Sequence, residues 1–124
     1  MAKELKIAVW NANRLHQKTQ VLKMFLQTNE IDVIIISETS LTDKHFIKIP
    51  HYTIYDTKHP SGKGHGGSAV IIKDNIKHHF HNNCNQVNLQ ATIVNQTING
   101  PFKLSAVYFP PKHKLTMEDY TEFF

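Results

Sequence analysis

The 124-residue chain has room for one domain with a sizeable core, and its 40% hydrophobic content is ordinary for a globular protein. Thirteen lysines and one arginine, Arg14, outweigh ten acids to give +4 with histidine neutral, a mild excess that suits a polyanionic partner without demanding one. The single cysteine, Cys84, excludes an internal disulfide and points to a reducing compartment, while the longest apolar run, Val33 to Ile36, is far too short to cross a bilayer.

In chain order, Leu5 to Trp10 reads as a strand, with Asn11 and Asn13 at the turn that follows. Leu15, Val21, Leu22, Phe25 and Leu26 fall on one stripe, which predicts a helix from Gln17 to Thr28. Asn29 suits its carboxyl end, since asparagine tolerates the left-handed conformation. Val33 to Ser37 is β-branched and continuous, the mark of a strand covered on both faces. Strand, helix and strand together predict a parallel pair joined by a right-handed crossover. Tyr52 to Tyr55 reads as a short strand, Asp56 to Gly67 as a polar loop, and Ser68 to Ile72 as a buried strand. Asn88 to Asn95 alternates apolar and polar residues like a sheet strand. Asn99-Gly100 has hairpin-turn composition, and Phe102 to Phe109 returns as the antiparallel partner, halted by Pro110-Pro111. Thr116 is placed to cap a helix whose first turn holds Glu118 and Asp119.

Few of these residues have an obvious chemical use. Glu38 stands just past four apolar residues, where burial of its carboxylate demands hydrogen bonds or a cation. Carboxylate and amide oxygens are the ligands Mg²⁺ prefers, and Asn11 and Asn13 share a direction if their strand continues. Each also has a plain structural reading, Glu38 as a strand-end acid bonded to a loop and the asparagines as turn residues. Tyr108 closes a strand and can donate its hydroxyl to a phosphate oxygen, or be an ordinary sheet residue. His78, His79 and His81, with Cys84 nearby, are zinc-type donors. Their spacing fits no closed zinc site, however, and the segment reads as a solvated polar loop. Gly66-Gly67 is read as structural, permitting a turn or close backbone approach.

The order of the short motifs is more specific than any one of them. Trp10-Asn11-Ala12-Asn13-Arg14-Leu15, Ser37-Glu38-Thr39, His65 to Lys73 (beginning His-Gly-Gly-Ser) and Val107-Tyr108-Phe109-Pro110-Pro111 together resemble the endonuclease/exonuclease/phosphatase superfamily. Within it, Tyr55 to Pro60 and Gly100 to Tyr108 are similar to the endonuclease domain of jockey-type non-LTR retrotransposons. The resemblance implies a two-sheet α/β sandwich of the deoxyribonuclease I-like, abasic endonuclease type. It also implies an Mg²⁺- or Mn²⁺-dependent phosphodiester hydrolase that nicks DNA to prime reverse transcription. Carried over by position, Glu38 and Asn11 belong to the metal site, Asn11 and Tyr108 to the catalytic group, and Asn13 to the substrate-facing shell.

Two motifs of that family, Gly-Asp-Phe/Tyr-Asn and Ser-Asp-His, have no counterpart, since no aspartate here follows glycine or precedes histidine. They supply the water-activating aspartate and the histidine that stabilises developing charge. The expectation is a partial domain over residues 1–124, truncated at its carboxyl end and inactive alone, with one sheet lacking its facing partner. DNA, the rest of the endonuclease domain and a downstream reverse transcriptase are the implied partners, in the nucleus or cytoplasm and with no membrane. Two alternatives remain open. One is a non-catalytic nucleic-acid-binding relic using lysines such as Lys58, Lys63 and Lys73; the other is a superfamily phosphoesterase for small molecules.

Overall fold

The computed structural model describes residues 5–86, 89–96 and 102–108. The first strand, β1 (Ile7–Asn11), leads through a single 3₁₀ turn at Leu15–Gln17 into α1 (Thr19–Thr28), then β2 (Val33–Ser37). β1 and β2 are parallel, Ile7 beside Val33 and Asn11 beside Ser37, as the strand-helix-strand reading requires. After β3 (Tyr52–Thr57) and β4 (Ser68–Lys73), the first sheet has the order β1-β2-β4-β3, with β4 antiparallel to both neighbours. β5 (His78–Gln86), β6 (Leu89–Gln96) and β7 (Phe102–Tyr108) form a second, antiparallel sheet in that order. The two-sheet α/β architecture is the one the motif order implied.

Side-chain alternation sorts the first sheet into two faces. Ala8 and Trp10 of β1 and Ile34 and Ile36 of β2 pack with Leu22, Leu26 and Phe25 of α1. Val33, Ile35, Val70 and Ile72 face the other way, against Val94, Leu104 and Ala106 of the second sheet. The first sheet therefore has its facing partner, contrary to expectation, because β5, β6 and β7 suffice to cover β2, β4 and β3. Large apolar side chains exposed between the sheets are at their edges, Ile7 and Val9 of β1 at 46% and 78% and Phe80 of β5, stacked on Tyr55, at 45%. Val21, assigned to the helix's buried stripe, also lies open at 65%.

Local differences from the sequence reading have local causes. α1 starts at Thr19 because residues 15–17 close a tighter turn first. Asn29 is not left-handed (φ −100°); Glu30 is, at φ 51°. The helix ends in a Schellman pair, Ile31 N–H to Leu26 C=O and Glu30 N–H to Gln27 C=O, while the Asn29 amide donates to Phe25 C=O. β3 continues to Thr57, since Asp56 and Thr57 pair with Ala69 and Ser68. The histidine segment is strand, not loop. A bulge between Phe80 and Asn82 leaves His79 and His81 each within hydrogen-bond distance of the Asn95 amide, and His78 packs edge-on against Tyr55. Cys84 is buried with Leu89 and Ala91, so the zinc-type donors are not gathered. β6, read as alternating, is buried from Leu89 to Val94, as befits the central strand of its sheet. The Asn99-Gly100 turn, Pro110-Pro111 and the helix from Thr116 lie outside the described residues.

Candidate active site at the mouth between the sheets

The strand registers gather one end of the first sheet at Asn11, Ser37, Thr57 and Ser68. Here the side chains between the sheets turn polar. Along β6 the face toward the first sheet runs from Val94 through Thr92 to Gln90, all fully buried. The Thr92 hydroxyl lies 2.8 Å from that of Thr57 and 3.0 Å from that of Ser68, so these buried groups satisfy one another. Gln90 accepts the Gly67 N–H at 3.1 Å through its side-chain oxygen. Its neighbour across the ladder is Tyr108, on the same face at the end of β7.

Glu38 and Tyr108 thus arrive from opposite sheets, and they meet: the Tyr108 hydroxyl donates to the Glu38 carboxylate. Burial first, then the negative charge of Glu38, then that hydrogen bond push the Tyr108 phenol above its ordinary pKa of 10.0. Glu38 is held at φ 55° with Ser40 at φ 51°, uncommon for non-glycine residues. The segment is pinned by Ser40 N–H to Gly66 C=O at 2.8 Å, and by Arg14 and Leu15 N–H groups to the Glu38 and Thr39 carbonyls at 3.2 and 2.9 Å.

The two glycines are what let this segment close. Gly66 and Gly67 adopt φ 63° and 88°. A Cβ on Gly66 would stand 2.5 Å from the Gln90 oxygen and 3.1 Å from the Tyr108 ring, and one on Gly67 only 2.4 Å from the Thr39 hydroxyl. That approach was the structural role read for them, and it has the added effect of seating Tyr108.

Asn11 ends β1 beside Ser37, on the inter-sheet face and exposed, one residue from Glu38 in register. Asn13 does not share its direction by strand alternation, because the strand has ended and Asn13 turns left-handed at φ 43°. Its carbonyl, not its amide, is engaged, accepting from Lys18 Nζ at 2.9 Å. The structure therefore joins Glu38 to Tyr108, sets Asn11 at the adjoining strand end, and places Asn13 on the exposed rim. Gln90 and Lys18 were not singled out in the sequence. Gln90 is one of the polar positions of an alternating strand, so nothing in the sequence separates it from an ordinary solvent-facing residue. Lys18 carries no signal that is visible without the fold.

The donor chemistry suits a hard divalent cation. It offers a partly exposed carboxylate and an exposed carboxamide, and neither of the ion pairs seen among the described residues, Lys58–Asp56 and Lys73–Asp32, engages Glu38. The Thr39 hydroxyl beside Glu38 is buried with no hydrogen-bond partner among the described residues. No group of three or more histidine, cysteine or acidic side chains occurs among them, so a cation held here would keep several waters, as Mg²⁺ commonly does.

The basic residues divide between the two ends. Arg14 and Lys63 are exposed at the mouth, and Lys58 there is paired with Asp56 at 2.8 Å. His59 stacks obliquely on His65 at 4.0 Å, and burial, then that neighbour, lowers its pKa below 6.5. Lys73 lies at the opposite end of β4, 3.6 Å from the buried Asp32.

Comparison with known proteins agrees with the two-sheet fold. The chain is 36% identical over 124 residues to the RNA-directed DNA polymerase from mobile element jockey of Drosophila melanogaster, covering 97% of this chain and 13% of that protein. The endonuclease domain of TRAS1, a telomere-specific non-LTR retrotransposon, superposes with a TM-score of 0.66 at 17% identity, over 95% of this chain and 51% of that one. An AP endonuclease from Archaeoglobus fulgidus superposes at 0.58 and 18% identity, over 96% and 46%. The chain thus spans about half of these folds and a small part of the polymerase it matches. Residues 8–122 match the model of one family, and by that match this chain belongs to the endonuclease/exonuclease/phosphatase family.

Proposed function

We propose that this chain carries part of the active site of a divalent-metal-dependent DNA endonuclease of the non-LTR retrotransposon type, which nicks DNA so that a linked reverse transcriptase can prime from it. The observation that carries this reading is the meeting of Glu38 and Tyr108 at a polar mouth with Asn11 alongside. The similarity to the jockey polymerase supplies the lineage. Glu38 and Asn11 would hold Mg²⁺ or Mn²⁺ through oxygen, and the bound ion would supply Lewis-acid stabilisation of phosphate charge. Tyr108 is a neutral phenol at physiological pH, and with a cation held on Glu38 its one hydroxyl proton could turn from that carboxylate to a phosphate oxygen. Asn13 and Arg14, exposed on the rim, face solvent where a duplex backbone would pass.

The Gly-Asp-Phe/Tyr-Asn and Ser-Asp-His motifs that would provide the base and the charge-stabilising histidine are absent from these 124 residues. The chain by itself is therefore expected to bind metal and DNA without turnover. A supercoiled-plasmid nicking assay with Mg²⁺, paired with Glu38→Ala, tests this. No nicking by folded protein, with Mn²⁺ binding that Glu38→Ala abolishes, is the expected result. Nicking that disappears in Glu38→Ala would overturn the inactivity and show the site to be complete. Nicking that persists in Glu38→Ala, or Mn²⁺ binding that persists there, would remove Glu38 from the metal site.

A second reading, a nucleic-acid-binding relic, is favoured by the exposed Arg14 and Lys63 at the same mouth. Salt-sensitive DNA binding without metal binding would select it.

A further inference from the structure

Between Asn11 and Leu15 the backbone makes a turn with two consecutive left-handed residues, Asn13 (φ 43°) and Arg14 (φ 79°), and no glycine. Such a turn persists only if its surroundings determine it fully. Its N–H groups are spent on the strand end that bears Glu38: those of Ala12, Arg14 and Leu15 donate to the carbonyls of Ser37, Glu38 and Thr39 at 2.9, 3.2 and 2.9 Å. The carbonyls of Ala12 and Asn13 instead converge on one group, the Lys18 ammonium, at 2.5 and 2.9 Å.

Lys18 occupies the N-cap of α1, where it makes no side-chain cap hydrogen bond, and no acid stands in the first turn. For the helix this is a poor choice. A lysine offers no acceptor to the free N–H groups, and its charge opposes the positive end of the helix dipole. The residue is explained by where its side chain goes. An ammonium has three donors and suits two carbonyls brought close together by a left-handed turn.

We propose that Lys18 is a positioning residue for the Asn11–Glu38 site. Its ammonium clamps the Ala12 and Asn13 carbonyls, fixes the left-handed turn, and so sets the Asn11 carboxamide beside the Glu38 carboxylate. The inference rests on the reading of that site as a divalent-cation site. The helix gives up a good cap so that the turn is held from both sides, by β2 carbonyls through its N–H groups and by Lys18 through its C=O groups.

The test is Mn²⁺ titration of the whole chain, with amide exchange at Ala12 to Leu15 measured in the absence of metal. The variants are Lys18→Met, Lys18→Arg and, as a stability control remote from the turn, Asn29→Ala, which removes the amide bonded to Phe25 C=O. Lys18→Met is expected to bind Mn²⁺ roughly 10-fold more weakly, in line with the loss of an outer-shell support, and to exchange faster at the turn. Lys18→Arg should recover part of the affinity. Asn29→Ala should lower Tm with affinity unchanged, which a merely structural role for Lys18 would not distinguish from Lys18→Met. Wild-type affinity and exchange in folded Lys18→Met would overturn the proposal. Wild-type protein that binds no Mn²⁺ would overturn the metal reading and the positioning role with it. Should Lys18→Met not fold, Lys18→Gln, which keeps one donor group, carries the same expectations.

Discussion

Glu38 combines an uncommon backbone, φ 55°, with a carboxylate that reaches across to the second sheet. That pairing gives Tyr108 a measurable signature. A phenol whose folded pKa is raised keeps its contribution to stability below the unfolded value near 10.0 and loses it as pH climbs through the raised one. Stability should therefore decline above pH 10 more steeply in wild type than in Tyr108→Phe, as denaturation monitored by circular dichroism would reveal. Gly67→Ala is expected to destabilise by about 2 kcal/mol or more, because its Cβ would meet the Thr39 hydroxyl at 2.4 Å on top of a left-handed backbone. Thermal unfolding checks it.

The elements themselves were largely legible. The β-branched run at Val33 to Ser37 and the helical stripe placed β2 and α1, and the hydrophobic pattern put β4, β6 and β7 in order. What escaped were features decided by tertiary neighbours. The polar β5 carries no apolar alternation, and it is a strand because β6 offers it a ladder from Gln86 to His78. The left-handed residue after α1 is Glu30, not Asn29, because the Schellman bonds fix which position must reverse. Glu30→Gly should accordingly raise stability by up to about 1 kcal/mol, measured by urea denaturation, since glycine takes that conformation at no steric cost. At the site, Glu38, Asn11 and Tyr108 could be marked from motif order. Lys18 could not, since its role depends on a turn whose two carbonyls face the same way.

Taken as one body, the protein keeps its polar work at one end and its plain packing at the other. That division decides which lysines matter. Lys63, exposed at the mouth, should contribute to duplex binding, so Lys63→Gln should reduce the slope of log K against log salt by about 1. Lys73, paired with the buried Asp32 at the far end, should leave that slope unchanged when replaced by glutamine and lower thermal stability instead. Fluorescence anisotropy across a salt series distinguishes the two, and equal slopes for both variants would contradict the assignment of ends. The open flank of β1 is the other property of the whole body. Val9 and Ile7 form apolar surface beside an edge that no other described strand pairs with, so Val9→Lys should reduce self-association in sedimentation without loss of helical signal.

The passage from Val94 to Thr92 to Gln90 along one face of β6 also bears on motion. At the Val94 end the sheets adhere by oil-like contact, which gains nothing from water entering. At the Gln90 end they adhere by hydroxyls and an amide, which water can replace one for one. Like a clothes-peg, the sandwich is expected to stay closed at the apolar end and to open first at the jaws that hold Glu38 and Tyr108. Amide protons should accordingly exchange slowly around Val70 to Ile72 and progressively faster toward Ser68, so that the end proposed to hold the metal is also the yielding one.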